Sequence, residues 1–144
     1  SVKGERTENK YFLRLIFRAS GILFAISIPS GIALWIFAPL ITYVRADFEG
    51  SILALRILSL SLPFFFLSSS TMWGLISLRL NRELLIAYTS GLLLNLVLNL
   101  ALIPQYGIVA AAISTGVTEG VVLLLSIYFL WKNNQRITKD HHKQ

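Results

Sequence analysis

Long apolar runs alternate with short polar clusters along this chain. Four runs stand out, at about 16–43, 57–78, 84–103 and 108–131. The first carries no formal charge from Ala19 to Val44, and the last two share an uncharged stretch, 84–118. A helix rises 1.5 Å per residue, so about 20 apolar residues cross the roughly 30 Å hydrocarbon core of a bilayer. The pattern therefore predicts an all-α, integral membrane protein of four transmembrane helices. Only Pro104-Gln105-Tyr106-Gly107 separates the third run from the fourth. Proline has no N–H to continue a helix and glycine tolerates unusual backbone angles, so the break predicts a helical hairpin with a tight connector. The other helices are expected to pack around that hairpin.

Within these spans a few residues depart from the apolar background. Pro29 interrupts the first, where its missing N–H predicts a kink that is either a hinge or a static bend. Gly21, Ala25, Pro29 and Ala33 recur every four residues and suggest a small-residue ridge for close helix packing. The second span carries Ser68-Ser69-Ser70-Thr71 near mid-membrane, hydroxyls that can bond back to the previous turn. Tyr88, Gly91, Asn95 and Asn99 share one side of the third span. An amide in hydrocarbon needs a partner, so Asn95 and Asn99 are expected to face protein or a cavity. Glu119 falls near the centre of the fourth span, beside Ala112, Thr115, Gly116 and Ser126. A mid-helix carboxylate costs about 3 kcal/mol on insertion scales, an amount the surrounding Leu, Ile, Val and Phe can outweigh. Glu119 should then turn away from lipid, either as a packing contact or as an ion-coupling or substrate group. Pro104 and Gly107 join Pro29 as candidate hinges.

Charge supplies the orientation. Only 14% of the residues are charged and 55% are hydrophobic, against roughly 25% charged in soluble domains. The net charge is +6, and the basic residues border the apolar runs, which points to an anionic lipid surface rather than nucleic acid. Arg14 and Arg18, one turn apart before the first span, are candidates for lipid-headgroup contact or for simple interfacial anchoring. Lysine and arginine mark the cytoplasmic side. With both termini cytoplasmic, eleven of the 13 basic residues lie inside, and only Arg45 and Arg56, in an expected loop at 45–56, lie outside. The domain plan is a cytoplasmic linker and interfacial segment at 1–15, a membrane domain at 16–131 and a basic cytoplasmic tail at 132–144. There is no cysteine, and the two histidines, His141 and His142, lie in that tail. No metal site, cofactor or enzymatic step is expected. The chain opens on Ser1 and its one methionine is Met72, so a piece of a longer protein is expected.

The stretch around the hairpin resembles the C-terminal helices of bacterial polysaccharide flippases, the oligosaccharide-lipid branch of the multidrug/oligosaccharidyl-lipid/polysaccharide exporter superfamily. The resembling residues are Asn95, Asn99 and Leu102-Ile103-Pro104, then Gly107-Ile108 and Ala111-Ala112. Ala110 departs from the family, which has a second glycine there. Leu55 to Ala87 is similar to the family's preceding helix and short basic loop. The resemblance implies the last four of about twelve helices, in the bacterial cytoplasmic (inner) membrane, with both termini cytoplasmic. It also implies alternating access, with a lipid-linked oligosaccharide as substrate and the remaining helices of the parent transporter as partners. The alternatives are a complete four-helix, dimeric, proton-coupled exporter and a non-transporting scaffold subunit.

Overall fold

The computed structural model describes residues 2–40, 43 and 49–140, and it is helical almost throughout. Helix α1 spans Val2–Phe37 and ends in a 3-10 turn, Ala38–Leu40. Helix α2 spans Glu49–Ser77, and α3 spans Asn81–Asp140. Three stretches are long and apolar enough to cross a membrane: Arg18–Leu40, Gly50–Ser77 and Asn81–Gln135.

The helices outrun the apolar runs. Helix α1 takes in the segment expected as a linker, α2 begins at Glu49 rather than Ile57, and α3 carries most of the expected tail. Polar residues keep intrahelical hydrogen bonds beyond a membrane face as well as apolar ones do, so a charge marks the membrane boundary and not the helix end. Arg56 consequently lies inside α2, not in a loop. Arg45 and Asp47 of that expected loop, and His141 and His142 of the tail, lie outside the described residues.

Helix α3 is interrupted once. Gly107 has φ 59° and ψ −140°, a non-helical combination that side chains with a Cβ avoid. The arms on either side, 81–106 and 108–140, fold back on each other: a Cβ added at Gly91 would overlap the Val122 side chain and stand 3.4 Å from the Thr118 Cγ2. The expected hairpin is present, but its reversal is one residue rather than four. Pro104 stays helical near the end of the first arm, where it forfeits one bond to the Leu100 carbonyl.

The hairpin is not the hub. Among the described residues α2 lies in the middle, with α1 packed on one side and α3 on the other, while α1 and α3 scarcely meet. Ser20 pairs with Ser70, and Gly31 approaches the Ser59 carbonyl, so α1 and α2 are antiparallel. Gly116 meets Ser61 and Glu119 meets Ser68, so the second arm of α3 runs parallel to α2. These directions put Arg14, Arg18, the α2–α3 turn and the C-terminal part of α3 at one end. The Gly107 reversal and the start of α2 lie at the other.

The expected ridge on α1 does not face this interface. Gly21, Ala25 and Pro29 are exposed, and α1 meets α2 through Ser20, Ser27, Gly31 and Ala38. Steps of four residues advance about 40° each beyond a full turn, so a run of three steps winds about 120° around the helix. Spacings of seven, eleven and eighteen residues return to within about 20° of the starting direction, and those separate Ser20 from the other three.

What is buried is small and hydroxylated. Ser27, Ser59, Ser61, Ser68, Ser70 and Thr71 are all buried, whereas Ile22, Leu60, Leu92, Leu100 and Leu124 point outward. Lipid gives large apolar side chains no reason to hide, and small residues let backbones approach. Some hydroxyls bond back to their own helix: Ser27 donates to the Phe24 carbonyl at 2.7 Å, Ser59 to Arg56 at 2.7 Å and Thr71 to Ser68 at 2.9 Å, whereas the buried Ser114 and Ser126 hydroxyls have no hydrogen-bond partner.

The α2–α3 turn is closed by two backbone bonds, Arg79 N–H to the Ile76 carbonyl and Leu80 N–H to the Leu75 carbonyl, both 2.9 Å. This is a Schellman cap with Arg79 at φ 57°, the left-handed position that usually holds glycine. Replacing Arg79 with glycine should raise thermal stability in detergent, by about 1 kcal/mol, the cost of a side chain in that conformation. Gly91→Ala should destabilise by about 1–3 kcal/mol through overpacking against Val122, and Val122→Ala in the same chain should recover most of the loss. Both are read by thermal unfolding of the purified protein.

Candidate functional site

A polar cluster occupies the seam between α2 and the hairpin. Its centre is Glu119, one turn past Gly116 on the second arm. Gly116 has no side chain, so Ser61 sits against the arm and α2 is drawn close enough for the Ser68 hydroxyl to reach the carboxylate. Ser68 Oγ donates to Glu119 Oε2 at 2.7 Å, and Ser68 is almost wholly buried. Tyr88, on the first arm, lies within hydrogen-bond reach of Ser68 and within electrostatic reach of Glu119. A serine hydroxyl has one proton. With that proton given to Glu119, Ser68 ties α2 to the second arm of the hairpin.

A second set of contacts lies beside it. Asn95 Nδ2 donates to Thr118 Oγ1 at 3.4 Å, and Asn99 Nδ2 donates to Asn95 Oδ1 at 2.8 Å. Asn99 Oδ1 is buried with no hydrogen-bond partner. Asn95 and Asn99 thus face protein across the tight hairpin. Neither bonds the Glu119 carboxylate, because Asn95 stops at the neighbouring Thr118. The carboxylate partner comes from α2 instead.

The other expected positions are scattered. Arg14 and Arg18 are exposed on α1, with Arg18 at the start of the apolar span. Pro29 is exposed on an α1 that stays helical through it. Pro104 and Gly107 sit together at the far end of the hairpin, both exposed. Among the described residues no group of His, Cys, Asp and Glu is placed to hold a metal ion.

Ser68 and Tyr88 are the cluster members that the sequence leaves inconspicuous. Ser68 sits in a run of four hydroxyl residues, and only helix packing decides which of them meets the acid. Tyr88 lies on the same side of its helix as Asn95, which was a usable signal.

The chain is 31% identical over 102 residues to an uncharacterized membrane protein of Methanocaldococcus jannaschii. The match takes in 69% of this chain and 24% of that protein, so the chain spans about a quarter of its relative's length. No protein-family model and no solved structure matches. Fold and relative together define a helical membrane protein.

If Ser68 holds the half-buried Glu119 carboxyl, Ser68→Ala should cost about 0.5–1.5 kcal/mol, the net contribution of one hydrogen bond. Combining Ser68→Ala with Glu119→Leu should cost less than the sum of the two single losses. A double-mutant cycle on thermal unfolding measures that coupling.

Proposed function

We propose that this chain is the C-terminal, four-span portion of a transporter that flips lipid-linked oligosaccharide across the cytoplasmic membrane by alternating access. The observation that carries the reading is the Ser68–Glu119 contact at the seam between α2 and the hairpin. A membrane carboxylate facing protein on a hydrogen-bonded seam is the common signature of an ion or substrate pathway in transporters. The folded-back α3 supports two crossings, because its 55-residue apolar stretch, about 80 Å of helix, far exceeds one bilayer. The resemblance at Asn95, Asn99, Leu102-Ile103-Pro104 and Gly107-Ile108 supports the substrate class. The match to one part of a longer membrane protein is in keeping with a parent transporter.

The helix directions support a cytoplasmic end that gathers Arg14, Arg18, Arg79, Arg82 and Lys132. The natural absence of cysteine allows single-cysteine labelling with an impermeant thiol reagent. Gln105→Cys should be labelled from outside intact cells, and Asn81→Cys only after permeabilisation. Labelling of position 81 from outside would reject the topology.

The transport role is tested by complementation. Glu119→Gln in the parent protein should remain abundant in membranes yet fail to restore surface polysaccharide to a flippase-deficient strain. An abundant and fully active Gln variant would reduce Glu119 to a packing contact. Rescue by the 144 residues alone would favour a self-sufficient dimeric exporter.

A further inference from the structure

We propose that the groove between α1 and α2 binds one acyl chain of an anionic phospholipid, whose phosphate is held by Arg56. The groove has a volume of about 280 Å³, and its walls include Ser27, Gly31, Ile32 and Trp35 of α1 and Ser59 and Pro63 of α2. This is close to the lower end of ordinary ligand pockets. It runs from Ser27 and Pro63, deep in both spans, to Trp35 and Arg56, near the described end of α1 and the start of α2. Eight residues of α1 correspond to about 12 Å along the helix, the reach of a partial acyl chain.

Its floor and rim have different chemistry. Gly31 brings α1 against the backbone of α2, and a Cβ there would stand 3.1 Å from the Ser59 oxygen. The helices therefore touch along a narrow line and leave a furrow on the outer side, where Ile32 is 55% exposed. Ser27 and Ser59 turn their hydroxyls back to the Phe24 and Arg56 carbonyls, which leaves the furrow apolar. At the mouth, the Arg56 guanidinium lies over the Trp35 ring, 5.2 Å from its centroid. Arg56 Nε is buried and has no hydrogen-bond partner.

An arginine placed over an indole near the membrane face, with a forked set of N–H donors, is suited to a phosphate oxygen. Tryptophan and arginine both favour the headgroup level, and a basic site between membrane helices selects anionic headgroups. The groove beside it is open to lipid, so a bilayer phospholipid can reach both parts at once. This inference needs only that the chain resides in a membrane. It is independent of the transport reading and of Glu119, which lies on the opposite side of α2.

The test follows Trp35 fluorescence in the whole chain after Trp73→Phe and Trp131→Phe, in vesicles of phosphatidylcholine and phosphatidylglycerol. Bromines on the acyl chains of one lipid at a time quench a tryptophan they touch. At equal mole fraction, brominated phosphatidylglycerol should quench Trp35 about twofold more than brominated phosphatidylcholine. Arg56→Gln should abolish that preference, and Arg56→Lys should retain part of it. A Trp73-only chain, whose indole faces lipid elsewhere, is the reference without preference. Quenching of Trp35 that follows mole fraction alone would overturn the proposal. So would relief of the preference by millimolar inorganic phosphate, which would mark a free-anion site. If Arg56 serves a carboxylate of the α1–α2 connection instead, Arg56→Gln would lower stability equally in both lipids and Trp35 would show no preference.

Discussion

Close approach of α2 to both its neighbours is the constraint on which the rest of this molecule depends. On one side Gly31 touches the Ser59 backbone, and on the other Gly116 receives the Ser61 hydroxyl. A Cβ at Gly31 would press on the Ser59 backbone oxygen, and one at Gly116 would force the Ser61 hydroxyl to move. In water such a core of serines would be weak, because folding there rests on burying large apolar groups. In lipid the outward Leu and Ile lose nothing by exposure, and what favours association is backbone proximity, dispersion and hydrogen bonding. Placing a serine or glycine at each crossing serves all three, and the hydroxyls that back-bond to carbonyls add no unsatisfied group.

This constraint also explains where the polar chemistry collects. Once Gly116 admits α2, residue 119 lies one helical turn further along the same side and must face α2 as well. A carboxylate there needs a donor, and Ser68 is seven residues beyond Ser61, two turns along the same face of α2. The spacing that packs the helices is thus the spacing that supplies Glu119 with its partner. Tyr88 completes the cluster from the first arm because Gly91, one turn on, lets that arm lie against Thr118 and Val122.

Much of this was legible in the sequence. The apolar runs, the hairpin and the inward side of Glu119 follow from hydropathy and from the cost of charge in lipid. Four features were not. Helix ends were misplaced because charge marks the membrane face and not the end of hydrogen bonding. The α1 ridge was misread because a four-residue repeat winds around a 3.6-residue helix, whereas Ser20, Ser27, Gly31 and Ala38 stay in line. The middle position of α2 was hidden because it is a property of three helices together. The hairpin has the sharper local signal, Pro104 and Gly107, but local sharpness does not say which element has neighbours on two sides. The partner of Glu119 was missed for the same reason: Asn95 is nearer along the hairpin, yet it is spent on Thr118.

The two polar sites on α2 differ in kind, and the difference bears on how the molecule works. The Glu119 cluster lies on the side facing the hairpin and is bonded within the protein, from Ser68 of α2 to Glu119 of the second arm. Moving the hairpin relative to α2 would break the Ser68–Glu119 hydrogen bond. Arg56 lies on the side facing α1, has a ring to rest on but an unpartnered Nε, and opens toward lipid. The contact beneath it is a glycine against a backbone oxygen, held with few polar bonds. One helix therefore presents a hydrogen-bonded seam to the hairpin on one side and an open, apolar furrow on the other. The first holds α2 and the hairpin together through groups of the protein itself. The second suits a site whose occupant comes from the bilayer itself.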